Sequence, residues 1–240
     1  MTQIETRQPL VMRWRELPRR AIRATKEGPV AWFMPNACAV NGHAADGPFD
    51  FGVAVQRLIA DIAVRCVEFQ HIDVSRILVT VAQARGSGRH GLQARVTPLR
   101  FANGAMTRQR RGVPYHIQRY FLGDVEFLYV MTFLLPRFLE QDFDAKLVTL
   151  FHELYHIGPA FDGDLRRHAG RYHHHSHCKR NYDEAMVHHA RQYLASRPNP
   201  SFHAFLRLNF AQLEARHGSI VGVVVPRPKM IPLFSPQAPK

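Results

Sequence analysis

The segment Leu147-Val148-Thr149-Leu150-Phe151-His152-Glu153-Leu154-Tyr155-His156-Ile157-Gly158 limits what this chain can fold into more than any other. Leu147, Leu150, Phe151 and Leu154 recur at helical spacing and define a buried stripe. Asp142 or Asp144 offers an N-cap, and Gly158-Pro159 stops the helix just past the second histidine. On such a helix His152 and His156 lie one turn apart on one face, so both imidazoles can grip a single metal ion. Glu153 is rotated about one residue off the metal-facing line, too far round to ligate easily but close enough to take a proton from water at the metal. The same spacing also arises by chance as a solvated histidine pair beside a surface glutamate. The cap, the apolar stripe and the stop together favour the metal helix.

Zinc takes nitrogen ligands in a tetrahedral shell, and a catalytic zinc keeps one position for water, so a third ligand must come from elsewhere. Nine of the fifteen histidines fall between residues 152 and 189. After the stop comes Phe161-Asp162-Gly163-Asp164-Leu165-Arg166-Arg167-His168, then Arg171-Tyr172-His173-His174-His175-Ser176-His177-Cys178. A second helix is expected from Ser176 through Tyr182, Ala185, Met186, His189, Tyr193 and Leu194 to just before Pro198. His168, His174, His175 and His177 are the candidate third ligands, and adjacent histidines cannot all reach one ion. His188 is expected on the surface of that helix and His189 in its core.

A chain of 240 residues at 46% hydrophobic can bury a core and most simply forms one elaborated domain. The most apolar stretch, Phe127 to Leu135, ends at Pro136-Arg137 and suits a buried strand better than a membrane span. The first residues carry charges and no apolar signal core, so a soluble, cytoplasmic protein without membrane contact is expected. Cys38, Cys66 and Cys178 lack CxxC spacing and suggest no disulfide framework. Cys38 and Cys66 read as packing residues, and Cys178 is a weaker candidate ligand. The net charge of +13 can attract nucleic acid or an acidic protein. Arg85, Arg89, Arg95, Arg100, Arg108, Arg110 and Arg111 occur without an intervening acid, as a solvated hairpin rim or a groove for phosphate or acidic peptide. Gly86-Ser87-Gly88 lacks the lysine of a phosphate loop.

In chain order, residues 1–48 form an irregular basic lead-in arm, 49–225 the main domain and 226–240 a proline-rich extended tail. Within the domain the periodicity predicts a helix over 49–69, strands over 77–81, 96–101 and 125–131, the metal helix over 143–157, a helix over 202–216 and a strand over 220–225.

The metal helix, the segment to about residue 195 and, loosely, the preceding helix and sheet resemble the HExxH zincins of the SprT-like and phage-type metallopeptidase groups. The resemblance implies an α+β, zincin-like fold: a small mixed sheet packed on an N-terminal helix and the HExxH metal helix, with C-terminal helices. It implies zinc, held by His152 and His156, with Glu153 as general base in hydrolysis of a peptide or protein substrate. In such families the third ligand is a histidine just before the next helix, ahead of an inward-packing aromatic. His177 before Tyr182 fits best, with His175, His174 and His168 as alternates. A metzincin would carry glycine and histidine where this chain has Pro159 and Asp162. A gluzincin would bring a glutamate from the next helix, for which Glu184 is the nearby candidate. Tyr155, Tyr172 and His173 are candidate oxyanion groups. The competing expectation is a non-catalytic, metal-stabilised binding module whose basic face contacts nucleic acid.

Overall fold

The computed structural model describes residues 47–84, 91–167 and 179–233, with the backbone alone at 179–183, together with short strands near the N-terminus. Strands β1 (Thr6–Arg7), β2 (Leu10–Trp14) and β3 (Ala31–Trp32) precede β4 (Phe49–Asp50) and helix α1 (Phe51–Arg65). Then come β5 (Ile77–Gln83), β6 (Ala94–Pro98), β7 (Thr107–Arg110), β8 (Val113–Ile117), β9 (Phe121–Leu122), β10 (Val125–Glu126) and β11 (Tyr129–Leu135). Helices α2 (Phe143–Tyr155), α3 (Lys179–Ala195) and α4 (Phe210–His217) follow, with β12 (Ile220–Val224) and β13 (Met230–Pro232) closing the chain.

The sheet that positions α2 has the order β5-β11-β6, with β5 parallel and β6 antiparallel to the central strand. Its side chains alternate as a pleated strand requires. Ile77, Val79, Val81, Tyr129, Met131 and Phe133 face the helices and share one core with Phe51, Leu58, Ile59, Leu147, Phe151 and Leu154. Leu78 and Val130 face the other way, onto Leu99, Tyr120 and Phe127. On that second face Thr80 and Thr132 satisfy each other across β5 and β11, with their hydroxyl oxygens 2.9 Å apart. The expected small mixed sheet packed on helices is present in a mixed α+β fold.

Several element boundaries differ from expectation. The helix over 49–69 stops at Arg65: Asp50 caps its start by accepting from the Val53 N–H, and Cys66 turns extended before a separate 3-10 turn at Val67–Phe69. Cys66 is half-buried, and burial raises its thiol above the ordinary value. The strand predicted over 96–101 lies at 94–98, and the one over 125–131 divides into β10 and the long β11. The helix over 202–216 is broken into 3-10 turns at Pro200–Phe202 and Ala204–Arg207, followed by α4. Two competing partners account for the break. Buried Lys146 donates to the carbonyls of Leu206 and Leu208, the groups a continuous helix would need for its own ladder. Asn209 and Gln212 then form a reciprocal capping box that starts a new helix.

Short strands also lie within the segments expected as an irregular arm and an extended tail. β2 and β4 flank β12 in a second three-stranded sheet, and β13 pairs with β8 beside β7 in a third. Backbone donors of the end segments thereby find partners in strands distant in sequence, which a local reading of proline and glycine does not anticipate.

Candidate metal centre

α2 begins where Asp142 accepts from the Ala145 N–H at 2.8 Å, and its buried stripe is Leu147, Leu150, Phe151 and Leu154. His152 and His156 stand half-buried at its C-terminal end. Their Nε2 atoms lie 3.1 Å apart, with the ring planes nearly perpendicular. Two nitrogens on one tetrahedral zinc at ordinary bond lengths stand about 3.3–3.4 Å apart, so the two rings already converge at the separation a shared ion needs. The same distance fits an N–H···N hydrogen bond between the rings, which is how a metal-free pair satisfies itself. The pair can therefore supply two nitrogen donors to zinc or another imidazole-binding ion, once the donating ring moves its proton off Nε2.

Glu153 is only 7% exposed and lies under the edge of the sheet, where its Oε2 accepts from the Val96 N–H at 2.7 Å. Burial dominates its titration and pushes the carboxyl up to about 7, with the Val96 bond opposing the shift. The position of Val96 follows from the ladder. The Gln93 carbonyl accepts from Leu134 N–H and Leu99 N–H donates to Leu128, so odd-numbered residues of this strand address β11. The even-numbered Ala94, Val96 and Pro98 present their main chain to the outer edge. Pro98, lacking an N–H, costs the ladder nothing there.

The loop after α2 folds back on the helix end. Ile157 bridges Leu165, the Gly158 N–H donates to Asp164, and the Arg166 N–H donates to the His156 carbonyl at 2.7 Å. The Arg166 side chain stacks 3.9 Å above the Tyr155 ring, donates from Nε to the Tyr155 carbonyl and pairs with Glu68. Arg166 thus caps the negative end of the metal helix. Tyr129 braces the same loop, its hydroxyl donating to the Asp164 carbonyl and accepting from the Gly163 N–H. The chain leaves this clamp for the histidine-rich segment and returns on α3, whose His189 and Tyr193 rings pack on Phe151.

His168, His174, His175 and His177, with Tyr172, His173 and Cys178, lie outside the described residues. Among the described residues no third histidine, cysteine, aspartate or glutamate joins His152 and His156. Asp162 instead accepts from the Asp164 N–H within its own loop, and Glu184 lies exposed on α3. Tyr155 is occupied beneath Arg166, a packing position. His188 is exposed, as expected, and His189 is half-buried against Phe69 and Phe151 where a core position was expected. The Val96 main chain and the Arg166 clamp escape a sequence reading, since neither residue type signals its role without the strand register and the loop's return.

No helix among the described residues is long and apolar enough to cross a membrane. No curated protein and no solved structure matches the chain. A family described as putative phage metallopeptidase matches residues 54–198, that is 145 of the 240, from within α1 to just past α3 and with the whole of α2 between. By that match the chain belongs to the putative phage metallopeptidase family.

Proposed function

We propose that the chain is a zinc-dependent peptidase of zincin-like architecture in which His152 and His156 hold the ion and Glu153 is the general base. The observation that carries this reading is the pairing of two converging imidazoles with a desolvated carboxylate one residue away. A bound zinc would supply Lewis acidity, polarising a peptide carbonyl and acidifying water.

The chain's own groups do the rest. One Oε atom of Glu153 accepts the proton of the attacking water and later returns it to the leaving amine, a role that its buried position beside His152 suits. The Val96 N–H fixes the carboxylate beneath the outer edge of β6. The rest of that edge, the Ala94 main chain and the Val96 carbonyl, is best placed to hold an extended peptide by backbone hydrogen bonds, since the Val96 N–H is already taken by Glu153. The third ligand is assigned to His177, with His175, His174 and His168 as alternates.

A metal that serves only as a staple has no use for a buried carboxylate beside its ligands, which disfavours the purely structural module. The test is metal content and casein cleavage for the wild type and for Glu153→Gln. The variant is expected to keep its ion and to lose cleavage by at least about 10²-fold, the usual share of a general base. Cleavage that survives unchanged removes Glu153 from this role.

A further inference from the structure

A separate chemistry lies on the hairpin sheet. Strand β7 is exposed at every residue, so neither of its faces is covered. It carries Arg108 and Arg110, and the exposed Arg111 follows in the turn to β8. Arg108 stands opposite Tyr115, and Tyr115 stands opposite Pro232 of β13, so the three share one face. Exposed Arg227 and Lys229 lie just ahead of β13. Arg95, half-buried on β6, has its Nε shielded from water without a hydrogen-bond partner among the described residues. Burial, and then the charge of Arg227, hold its guanidinium below the ordinary arginine value.

The sign of the charge is uniform. From Val74 to Gly123 the chain carries nine arginines and no acid, and after Glu214 it carries four further cations and no acid. Asp124 is the first carboxylate by sequence to follow the hairpin, and Glu126, the next, is held by Arg100 and Arg119. Protecting an edge strand from pairing needs charge of either sign. Cations alone create a field that concentrates polyanions.

We propose that the sheet of β7, β8 and β13 is a docking surface for nucleic acid, with Arg108, Arg110, Arg111, Arg227 and Lys229 on the phosphate backbone and Tyr115 beside them to stack on a base. Four of the five cations are arginine, whose planar fork pairs with phosphate oxygens through two parallel hydrogen bonds. Arg108 and Arg110 are about 6.8 Å apart along the strand, a step that successive phosphates of a single strand can meet. The exposed apolar side chains here, Met106, Met230 and Leu233, are outnumbered by the cations, which favours a charged polymer over a membrane surface. This surface is independent of the peptidase reading.

The experiment is fluorescence anisotropy of labelled oligonucleotides, single-stranded and duplex, with the full chain over a range of salt. Wild type is expected to bind with a log–log salt slope of about −3 on single strands, as four to five phosphate contacts give. The Arg108→Ala/Arg110→Ala/Arg111→Ala variant is expected to bind at least about tenfold more weakly, with a slope flatter by about 2. The corresponding triple lysine variant keeps most of the binding, and Arg191→Ala/Arg216→Ala, at exposed positions on α3 and α4, leaves it unchanged. Because the three hairpin arginines are exposed, the melting temperature of each variant should match wild type. Wild type that does not bind, or a triple alanine variant that binds like wild type, overturns the proposal. Tighter binding to phosphatidylserine vesicles than to either oligonucleotide also overturns it, by assigning the surface to membranes.

Discussion

Glu153 shows how much one side chain depends on its surroundings. A surface glutamate one turn from a helix end would titrate in the ordinary range, but the roof of β6 removes water from it and lifts its carboxyl towards neutrality. The opposite case is Glu126, where burial would raise the carboxyl, yet the hydrogen bonds and charges of Arg119 and Arg100 prevail and hold it at about 2. A carboxylate depressed from its usual range stabilises the fold above the unfolded value near 4.5, and that stability is lost as pH falls towards 2. Glu126→Gln is therefore expected to lose roughly 2 kcal/mol at pH 7, after allowance for the solvent around Arg119. Its stability should also vary less than that of wild type between pH 5 and 2, as urea melts across that window will record. The one-turn placement of His152 and His156, with Glu153 beside the first, was legible in the sequence because helical periodicity alone sets it. The Val96 bond was not, since it joins residues 57 apart and depends on which edge of β6 is outward.

At the scale of elements, two kinds of contact decide what the local pattern leaves open. α2 was readable to within two residues at its C-terminal end, because its cap, stripe and stop are all encoded between Asp142 and Pro159. The region after Pro198 was not. Its apolar spacing suits one helix, but Lys146 takes two of the carbonyls that helix would use, and a lysine on a distant helix gives no local warning. Close approach is a second such contact. β12 runs so near β5 that a Cβ on Gly222 would stand 2.6 Å from a Val81 methyl carbon. Gly222→Ala is expected to cost about 1–3 kcal/mol through overpacking, a fall of several degrees in melting temperature. Val81→Ala in the same chain should recover part of the loss, a coupling that thermal melts of the four-member cycle will measure.

For the molecule as a whole, the central sheet separates the two proposed functions. Its helix-facing side and outer edge hold the paired imidazoles and the buried carboxylate, while the hairpins beyond its other face gather cations. The expectation of a basic rim around 85–111 was right for Arg108, Arg110 and Arg111, whereas Arg100 is buried against Glu126. Strands at both chain ends complete the outer sheets, and only long-range pairing reveals them. The candidate metal centre draws on the same principle: the Arg166 clamp holds the chain at the end of α2 up to residue 167, and α3 brings it back onto that helix.

Zinc-edge X-ray absorption of the purified protein and of His156→Ala decides whether the paired imidazoles hold an ion. About one zinc per chain is expected, with at least two imidazole nitrogens at about 2.0–2.1 Å, in a site that loses its ion when His156 is removed. A protein that binds no metal under zinc-replete conditions, or that keeps the same shell without His156, contradicts that expectation.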